Sequence, residues 1–483
     1  MESPNVLDLL PDLWQDLLAI PRIGLYLTIG WAVYLVWLSL WIVLQKREPV
    51  ATISWLISLA VLPYIGFLIY YFFGPLRIHR QRLRRVRARA SLPAPPPGLT
   101  PSPEAIELAK LGQATTGLPP TTATQARLLI DGGAKYAALL ADIAQARDHI
   151  HLEYYIYLPD RTGTALRDAL IERARAGVKV RLLMDAVGSG QTSRRFIRPL
   201  LEAGAEVAWF HPMRLRWFWR RPWLNLRTHR KIVVIDGLVG YTGGINITDE
   251  EDERLREDAY RDLHLRLEGD VVRELDLVFT EDWCYATGQP PLKIQHPPPQ
   301  PGRVASQVVS SGPDSPWEAI HRVHVGAIHA AQRRVWLVTP YFVPSEAARM
   351  ALTSAALGGL DVRLLVPKLS DSRLVTYAAR SYFDELLEAG VKIHEYGPRM
   401  LHTKALLCDD KMAIIGSANF DHRSFRLNFE ISVMFYDAGL AGELAALIQD
   451  ECSRAPRVRP DRNRSLWRTR LPEALARLVS PLL

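Results

Sequence analysis

Two segments of the chain carry histidine, lysine and aspartate at one fixed spacing. The first reads His229-x-Lys231-x4-Asp236-x6-Gly243-Gly244-x-Asn246 and the second His402-x-Lys404-x4-Asp409-x6-Gly416-Ser417-x-Asn419. Histidine to asparagine takes 17 residues in both, and these are the only His-x-Lys triplets in a chain with ten lysines. On a strand, residues i and i+2 share a face, so an imidazole able to act as nucleophile or acid stands beside an ammonium that can clamp phosphate. The glycines let backbone approach an anion closely, and an asparagine amide can donate to a phosphoryl oxygen. Two such half-sites facing each other would put two imidazoles, two ammoniums and two amides around one phosphate. That set supplies the positioning and charge neutralisation phosphoryl transfer needs, and it calls for no metal or other cofactor.

The elements that must position these residues are also duplicated. Leu152-Glu153-Tyr154-Tyr155-Ile156 parallels Val338-Thr339-Pro340-Tyr341-Phe342, Val180 to Leu183 parallels Val362 to Leu365, and Leu200 to Gly204 returns at Leu386 to Gly390. Order is kept while offsets drift by loop-sized amounts, as for two copies of one domain. Short β-rich runs alternate with helical patterns: residues 134–148 and 163–176 read as helices, 150–157 and 178–185 as strands. This rhythm predicts an α/β fold with a largely parallel sheet in each copy. The copies span 127–288 and 303–455, separated by a Pro-rich linker at 289–302.

Ahead of them, 22 residues from Ile23 to Leu44 and 27 from Val50 to Leu76 lack charge. At 1.5 Å per residue the first covers about 33 Å, enough for a bilayer core. The five-residue connector makes these spans (about 23–44 and 50–76) a transmembrane hairpin, the alternative being a buried hairpin in a soluble core. No small-residue cleavage site follows, which excludes a signal peptide. Seven arginines between Arg77 and Arg89 outweigh the two basic residues of the connector, which puts the following domains on the cytoplasmic side. Residues 1–90 thus read as an anchor and 91–126, rich in Pro and Thr, as an extended tether. The whole chain of 483 residues is 48% apolar and 23% charged with a net charge of +8 (59 − 51), which excludes a mostly disordered chain and one that is membrane throughout. Three dispersed cysteines exclude a disulfide scaffold and a CxxC metal or redox site.

On the paired motifs, the sequence resembles the phospholipase D superfamily, and within it the anchor, Arg47-Glu48-Pro49 to Phe73-Gly74-Pro75, and the ending Arg464 to Leu483 resemble bacterial cardiolipin synthases. The resemblance implies two fused phospholipase D-like α/β domains and a phosphatidyltransferase of the bacterial inner membrane. Its substrates would be anionic phospholipid, two phosphatidylglycerols giving cardiolipin and glycerol. A phospholipase D, a tethered nuclease and an inactive lipid-binding scaffold are the alternatives. The implied catalytic set is His229, Lys231, Asp236, His402, Lys404 and Asp409. In it His229 attacks phosphorus, His402 serves as acid and base, and the two aspartates, which point away from substrate in this family, are structural. Lys231, Asn246, Lys404 and Asn419 would bind phosphate. A carboxylate should orient each histidine: Glu430 in the second copy and Asp262 as its counterpart in the first. The first copy is five residues longer between the histidine and this carboxylate (33 against 28), and the acidic run 249–253 that fills the difference reads as a solvated loop.

The first copy also has 13 extra residues before His229. Basic and aromatic residues interleave there, and Trp217, Trp219, Arg220, Arg221 and Trp223 suit a lipid interface; stacking on nucleic acid or plain loop packing are the other readings. The tail, 456–483, reads as a basic amphipathic helix broken at Pro472, lying either at the membrane interface or on the soluble domains. His321, His324 and His329 lack a clustered acid or cysteine and read as packing or surface histidines.

Overall fold

The computed structural model describes residues 21–45, 49–62, 66, 70, 105–211, 226–292, 297–315, 317–460 and 464–480. It divides into two units, Met1–Pro75 and Leu76–Leu483. In the first, Ile23–Leu44 forms a 22-residue helix long and apolar enough to cross a membrane. A second helix spans Pro49–Val61. Leu38 and Ile42 pack with Leu59 and Tyr70, and Gln45 donates to the Tyr70 hydroxyl at 3.1 Å, so the chain folds back on itself after Leu44. Most of 62–76, and the arginine run, lie outside the described residues.

The second unit holds two sheets built on one plan. The first runs, in spatial order, Gln125–Ile130, Leu263–Glu268, Val239–Gly243, Ile232–Ile235, His149–Tyr154, Lys179–Asp185 and Glu206–Phe210. The second repeats this order with Val304–Ser311, Asn428–Phe435, Met412–Gly416, Ala405–Cys408, Arg334–Val338, Asp361–Pro367 and Lys392–Tyr396. The two-copy α/β reading holds, but the sheets are mixed rather than largely parallel. Only the last three strands of each run parallel; the rest are antiparallel. The reason is connection length. The early strands are joined through helices, but Ile235 to Val239 and Cys408 to Met412 are joined by turns too tight for a crossover.

Each sheet has outer helices on one face. Leu139, Leu166 and Leu200 cover the first and Ile320, Leu352 and Leu386 the second. Between the sheets lies one shared apolar core, to which the helices Val271–Thr287 and Ala438–Arg454 contribute Phe279, Trp283, Leu444 and Ile448. The two copies are therefore halves of one body.

The tether reading needs correction at its C-terminal end. Ile106–Thr116 is a helix, and Thr121–Ala123 is an additional edge strand paired with Val304–Ser311 of the second half. Gln307 holds this segment by donating to the carbonyls of Ala109 (3.1 Å) and Leu118 (2.9 Å). Its own packing against the second half overrides the Pro/Thr-rich composition around it. The tail changes at Pro472, as expected: a wider helical turn, Leu466–Arg470, gives way to the α-helix Leu471–Leu478, and Pro472 stands in its first turn.

Candidate active site

Each motif lies where the chain changes partners. Arg227–Thr228 pair in parallel with Asn428–Phe429 of the other half, and three residues on, Ile232–Ile235 rejoin their own sheet. The second motif does the same through a parallel bridge of Leu401 to Arg261 before Ala405–Cys408. The His229 amide donates to the Phe429 carbonyl at 2.8 Å and the His402 amide to the Arg261 carbonyl at 2.7 Å. The histidines thus sit in extended links between strands rather than within one.

This crossing decides which carboxylate meets which imidazole. Glu430 lies on the second half yet takes His229 Nδ1 at 3.0 and 3.1 Å; Asp262, on the first, takes His402 Nδ1 at 2.7 Å. The carboxylates orient the histidines, but each serves the other copy's histidine. A carboxylate on Nδ1 fixes the tautomer and leaves Nε2 for chemistry.

The four-group centre is buried on all sides, with His229, His402 and Lys404 less than a tenth exposed and Lys231 not at all. Burial pushes the Lys231 ammonium down to about 7, helped by repulsion from Lys404. Lys404 is lowered by burial too, with Asp262, 3.6 Å away, opposing. Both imidazoles fall below the ordinary histidine range. For His229 burial leads and Glu430 resists; for His402 burial leads and Lys404 adds to it. The two carboxylates differ. Burial raises Asp262 to about 6 against the pull of Lys404, whereas for Glu430 the rise from burial is outweighed by His229, Lys231 and Ser417, leaving it lowered. Lys231 and Lys404 each donate to the carbonyl of their own motif histidine (2.8 Å for Lys231). The site gathers two ammoniums and two imidazoles within reach of the Asp262, Glu251 and Glu430 carboxylates.

The halves also differ at Gly244 and Ser417. Ser417 donates to Glu430 at 2.5 Å, joined by Asn428 at 3.1 Å. A Cβ at Gly244 would stand 2.2 Å from Asp262 Oδ1, so no side chain fits there. The asparagines diverge as well. Asn246 is clamped by Glu251, which takes its side-chain amide at 2.7 Å and its backbone amide at 2.8 Å. Asn419 has a buried, unpartnered Oδ1. Asp236 and Asp409 touch no catalytic group. Asp236 accepts from the amides of Arg147, Asp148 and His149, and Asp409 from those of Gln332, Arg333 and Arg334. Both hold positive φ (54° and 55°) at the turn after the motif strand.

Glu251 is the residue sequence reasoning misplaced. The acidic run is not a solvated loop, since Glu251 and Asp252 are buried. Glu251, Asp262 and His402 bring possible ligand atoms within 4.8 Å of one another, as do His149, His151 and Asp276. In both groups the aspartate already takes a histidine Nδ1 at 2.7 Å, which accounts for the clustering by itself. Tyr155 and Tyr260, also not foreseen, set their rings 5.0 Å from His229 and 5.5 Å from His402. Arg230, the variable residue of the first triplet, is fully buried and bonds Asp282 and the carbonyls of Glu430 and Ser311, locking the halves together. His321 bonds Ser345 and Glu318, and His324, lowered to about 4 by burial, bonds the Ile320 carbonyl; both are packing histidines. Trp217, Trp219, Arg220, Arg221 and Trp223 lie outside the described residues. At the neck of that insertion His211 Nδ1 meets the Leu226 carbonyl at 2.8 Å.

The comparisons agree with this geometry. The family model described as "Cardiolipin synthase, PLD-like domain" matches residues 139–283 and 325–452, one match on each half, and "Phospholipase_D-nuclease N-terminal" matches 28–75. The chain is 39% identical over 471 residues to a cardiolipin synthase of Geobacillus kaustophilus, covering 93% of this chain and 92% of that one. It is 36% identical over 491 residues to cardiolipin synthase 1 of Bacillus anthracis, covering 95% of each. Among solved structures, phosphatidylserine synthase of Haemophilus influenzae shares the fold, with a TM-score of 0.59 at 14% identity over 78% of this chain and all of that one. With both halves matched and the likeness running through the anchor, the chain belongs to the cardiolipin synthase family of phospholipase D-like phosphatidyltransferases.

Proposed function

We propose that the protein transfers a phosphatidyl group from one phosphatidylglycerol to the glycerol hydroxyl of another, giving cardiolipin and free glycerol. One observation carries this reading. The two His-x-Lys pairs meet in a single buried centre, each imidazole tautomer fixed by a carboxylate from the other half. In the first step His229 Nε2 attacks phosphorus, the bond to the leaving glycerol oxygen breaks, and a proton from His402 Nε2 goes to that oxygen. In the second, His402 takes the proton of the acceptor hydroxyl, its oxygen attacks phosphorus, and the phosphorus–nitrogen bond breaks to free His229. Burial lowers the proton affinity of His402, and an anionic phosphodiester beside it raises that affinity just when a proton is needed. Glu430 favours His229 as nucleophile, because three donors keep it ionised beside that ring. Lys231, Lys404 and Asn419 bind the phosphate oxygens. Asn246, whose amide is held by Glu251, shapes the wall.

The wider arrangement follows the same reading. Residues 1–90 form a two-span anchor with the catalytic unit on the cytoplasmic side, followed by a tether that ends before residue 105. The halves 127–288 and 303–455 are joined by the linker 289–302, and the 210–227 insertion meets the lipid interface. The test is incubation of the purified protein with labelled phosphatidylglycerol, without nucleotide or added metal. Cardiolipin and glycerol are expected; phosphatidic acid would mean that water is the acceptor, and no product would refute the reading.

A further inference from the structure

The C-terminal helix is turned inside out. In Leu471–Leu478 the two buried residues are Glu473 and Ala476, the latter within the core of the second half. Arg464 donates to Glu473 at 2.6 Å, and the Arg477 guanidinium lies 4.6 Å over the Tyr382 ring while donating to the Ser381 carbonyl. These contacts dock the helix on Arg373–Arg380 and its neighbour. The large apolar side chains point the other way. Leu466, Trp467, Leu471, Leu475 and Leu478 are all exposed, Trp467 and Leu478 by about three quarters. A tail seeking only to pack would bury leucine and expose glutamate.

Two more leucines, Leu369 and Leu374, are exposed just before and within the helix Arg373–Arg380 against which the tail packs. That segment leads to the catalytic centre. Between them Asp371 accepts from the Tyr341 hydroxyl at 2.8 Å, and burial, Glu250 and Asp371 push the hydroxyl of Tyr260, which flanks His402, up to about 12. Charge points the same way. The nearby carboxylates Asp384, Glu385 and Glu473 are engaged by Arg464, Arg349 and Arg464 respectively, while Arg373, Arg468 and Arg470 have no carboxylate partner among the described residues.

We infer that this tail is an interfacial foot: Leu466, Trp467, Leu471, Leu475 and Leu478, with Leu369 and Leu374, enter the surface of an anionic bilayer beside the His402 side of the site. Exposed leucines and a tryptophan accompanied by arginines have the chemistry of a headgroup-depth contact. A bilayer is the occupant because the chain carries its own membrane helix, Ile23–Leu44, and because the free cations complement anionic headgroups. The inference rests on the lipid-transfer reading, since the foot would bring the acceptor lipid to the site.

The test uses the full chain in nanodiscs containing phosphatidylglycerol, with Leu475→Cys carrying an environment-sensitive fluorophore; the native cysteines are buried. A nitroxide lipid probe should quench this label and should not quench one on Leu201→Cys, an exposed site on the first half. The Leu471→Glu/Leu475→Glu variant should lose about ten-fold or more turnover on bilayer phosphatidylglycerol and keep its rate on monomeric short-chain phosphatidylglycerol. An unquenched Leu475 label, equal losses on both substrates, or quenching that vanishes when each disc holds a single copy would overturn the inference. Failure of the wild type to make cardiolipin from either substrate would refute the function instead, and the quenching result would still stand for or against the foot.

Discussion

Crossed pairing makes a prediction that same-half pairing does not: damage to a carboxylate in one half should disable the histidine of the other. In Glu430→Gln the side chain keeps its shape but loses its charge, and its amide turns donors toward positions now filled by His229 Nδ1, Ser417 Oγ and Asn428 Nδ2. A hydrogen bond to a charged group contributes about 1.5–3 kcal/mol, and each ~1.4 kcal/mol is ten-fold in rate. Loss of the His229 contact alone therefore slows attack by about ten- to 150-fold, and a flipped tautomer would add to this. The assay uses a phosphatidyl ester whose phenolate leaves without protonation, so the first step needs His229 but not the acid. Glu430→Gln should slow the burst of released phenol by that factor. Asp262→Asn, which unseats His402, should leave the burst near the wild-type rate and slow the later transfer to a lipid hydroxyl. The opposite pattern would make His402 the nucleophile, and two unaltered bursts would mean that neither carboxylate orients its ring.

Further outcomes test other parts of the site. Glu430 raises the proton affinity of His229 while burial lowers it, so Glu430→Gln should move the pH profile of kcat/KM to lower pH; a move to higher pH would contradict this electrostatic balance. Asp409→Ala removes the acceptor for three backbone amides and should cost about 2–4 kcal/mol in chemical denaturation, with the surviving folded enzyme turning over at near the wild-type rate. Gly244→Ser should nearly abolish transfer because its Cβ displaces Asp262, whereas Ser417→Gly, which removes one of three donors to Glu430, should lose about ten-fold; equal effects would deny the asymmetry of the half-sites.

The duplication and both motifs were legible because each repeats a local spacing, and local spacing survives in sequence. The carboxylate pairing was not, because it depends on where the chain leaves one sheet for the other. Glu430 lies 28 residues after His402 and Asp262 33 after His229, and those intervals suggest partners within each copy. The parallel pairings of Arg227–Thr228 with Asn428–Phe429 and of Leu401 with Arg261 exchange them. Glu251 was hidden for a different reason. Five acidic residues in a row look solvated, yet one of them turns inward to hold Asn246. The length difference between the copies at that point was the available signal. Ile106–Thr116 was masked by the prolines around it, its few buried contacts resting on Gln307 and Gly326 of the distant second half.

The exchange of strands bears on why the two copies are fused. A half that kept its own carboxylate would hold a histidine with a fixed tautomer and carry part of the chemistry alone. Here each half contributes an imidazole it cannot orient and a carboxylate it cannot use, so neither is competent until the shared core closes around Arg230, whose bonds reach Asp282, Glu430 and Ser311 at once. Closure also buries both lysines, and Lys404 adds to the burial that pushes Lys231 down to about 7. The same crossing frees the halves to diverge. With orientation supplied from across the interface, three donors (His229, Ser417 and Asn428) can hold one carboxylate ionised while burial lifts the other to about 6. A two-step transfer needs one histidine to stay a base toward phosphorus and the other to trade a proton, and on the proposed mechanism this unequal pair of carboxylates would give a near-symmetric site that division of labour.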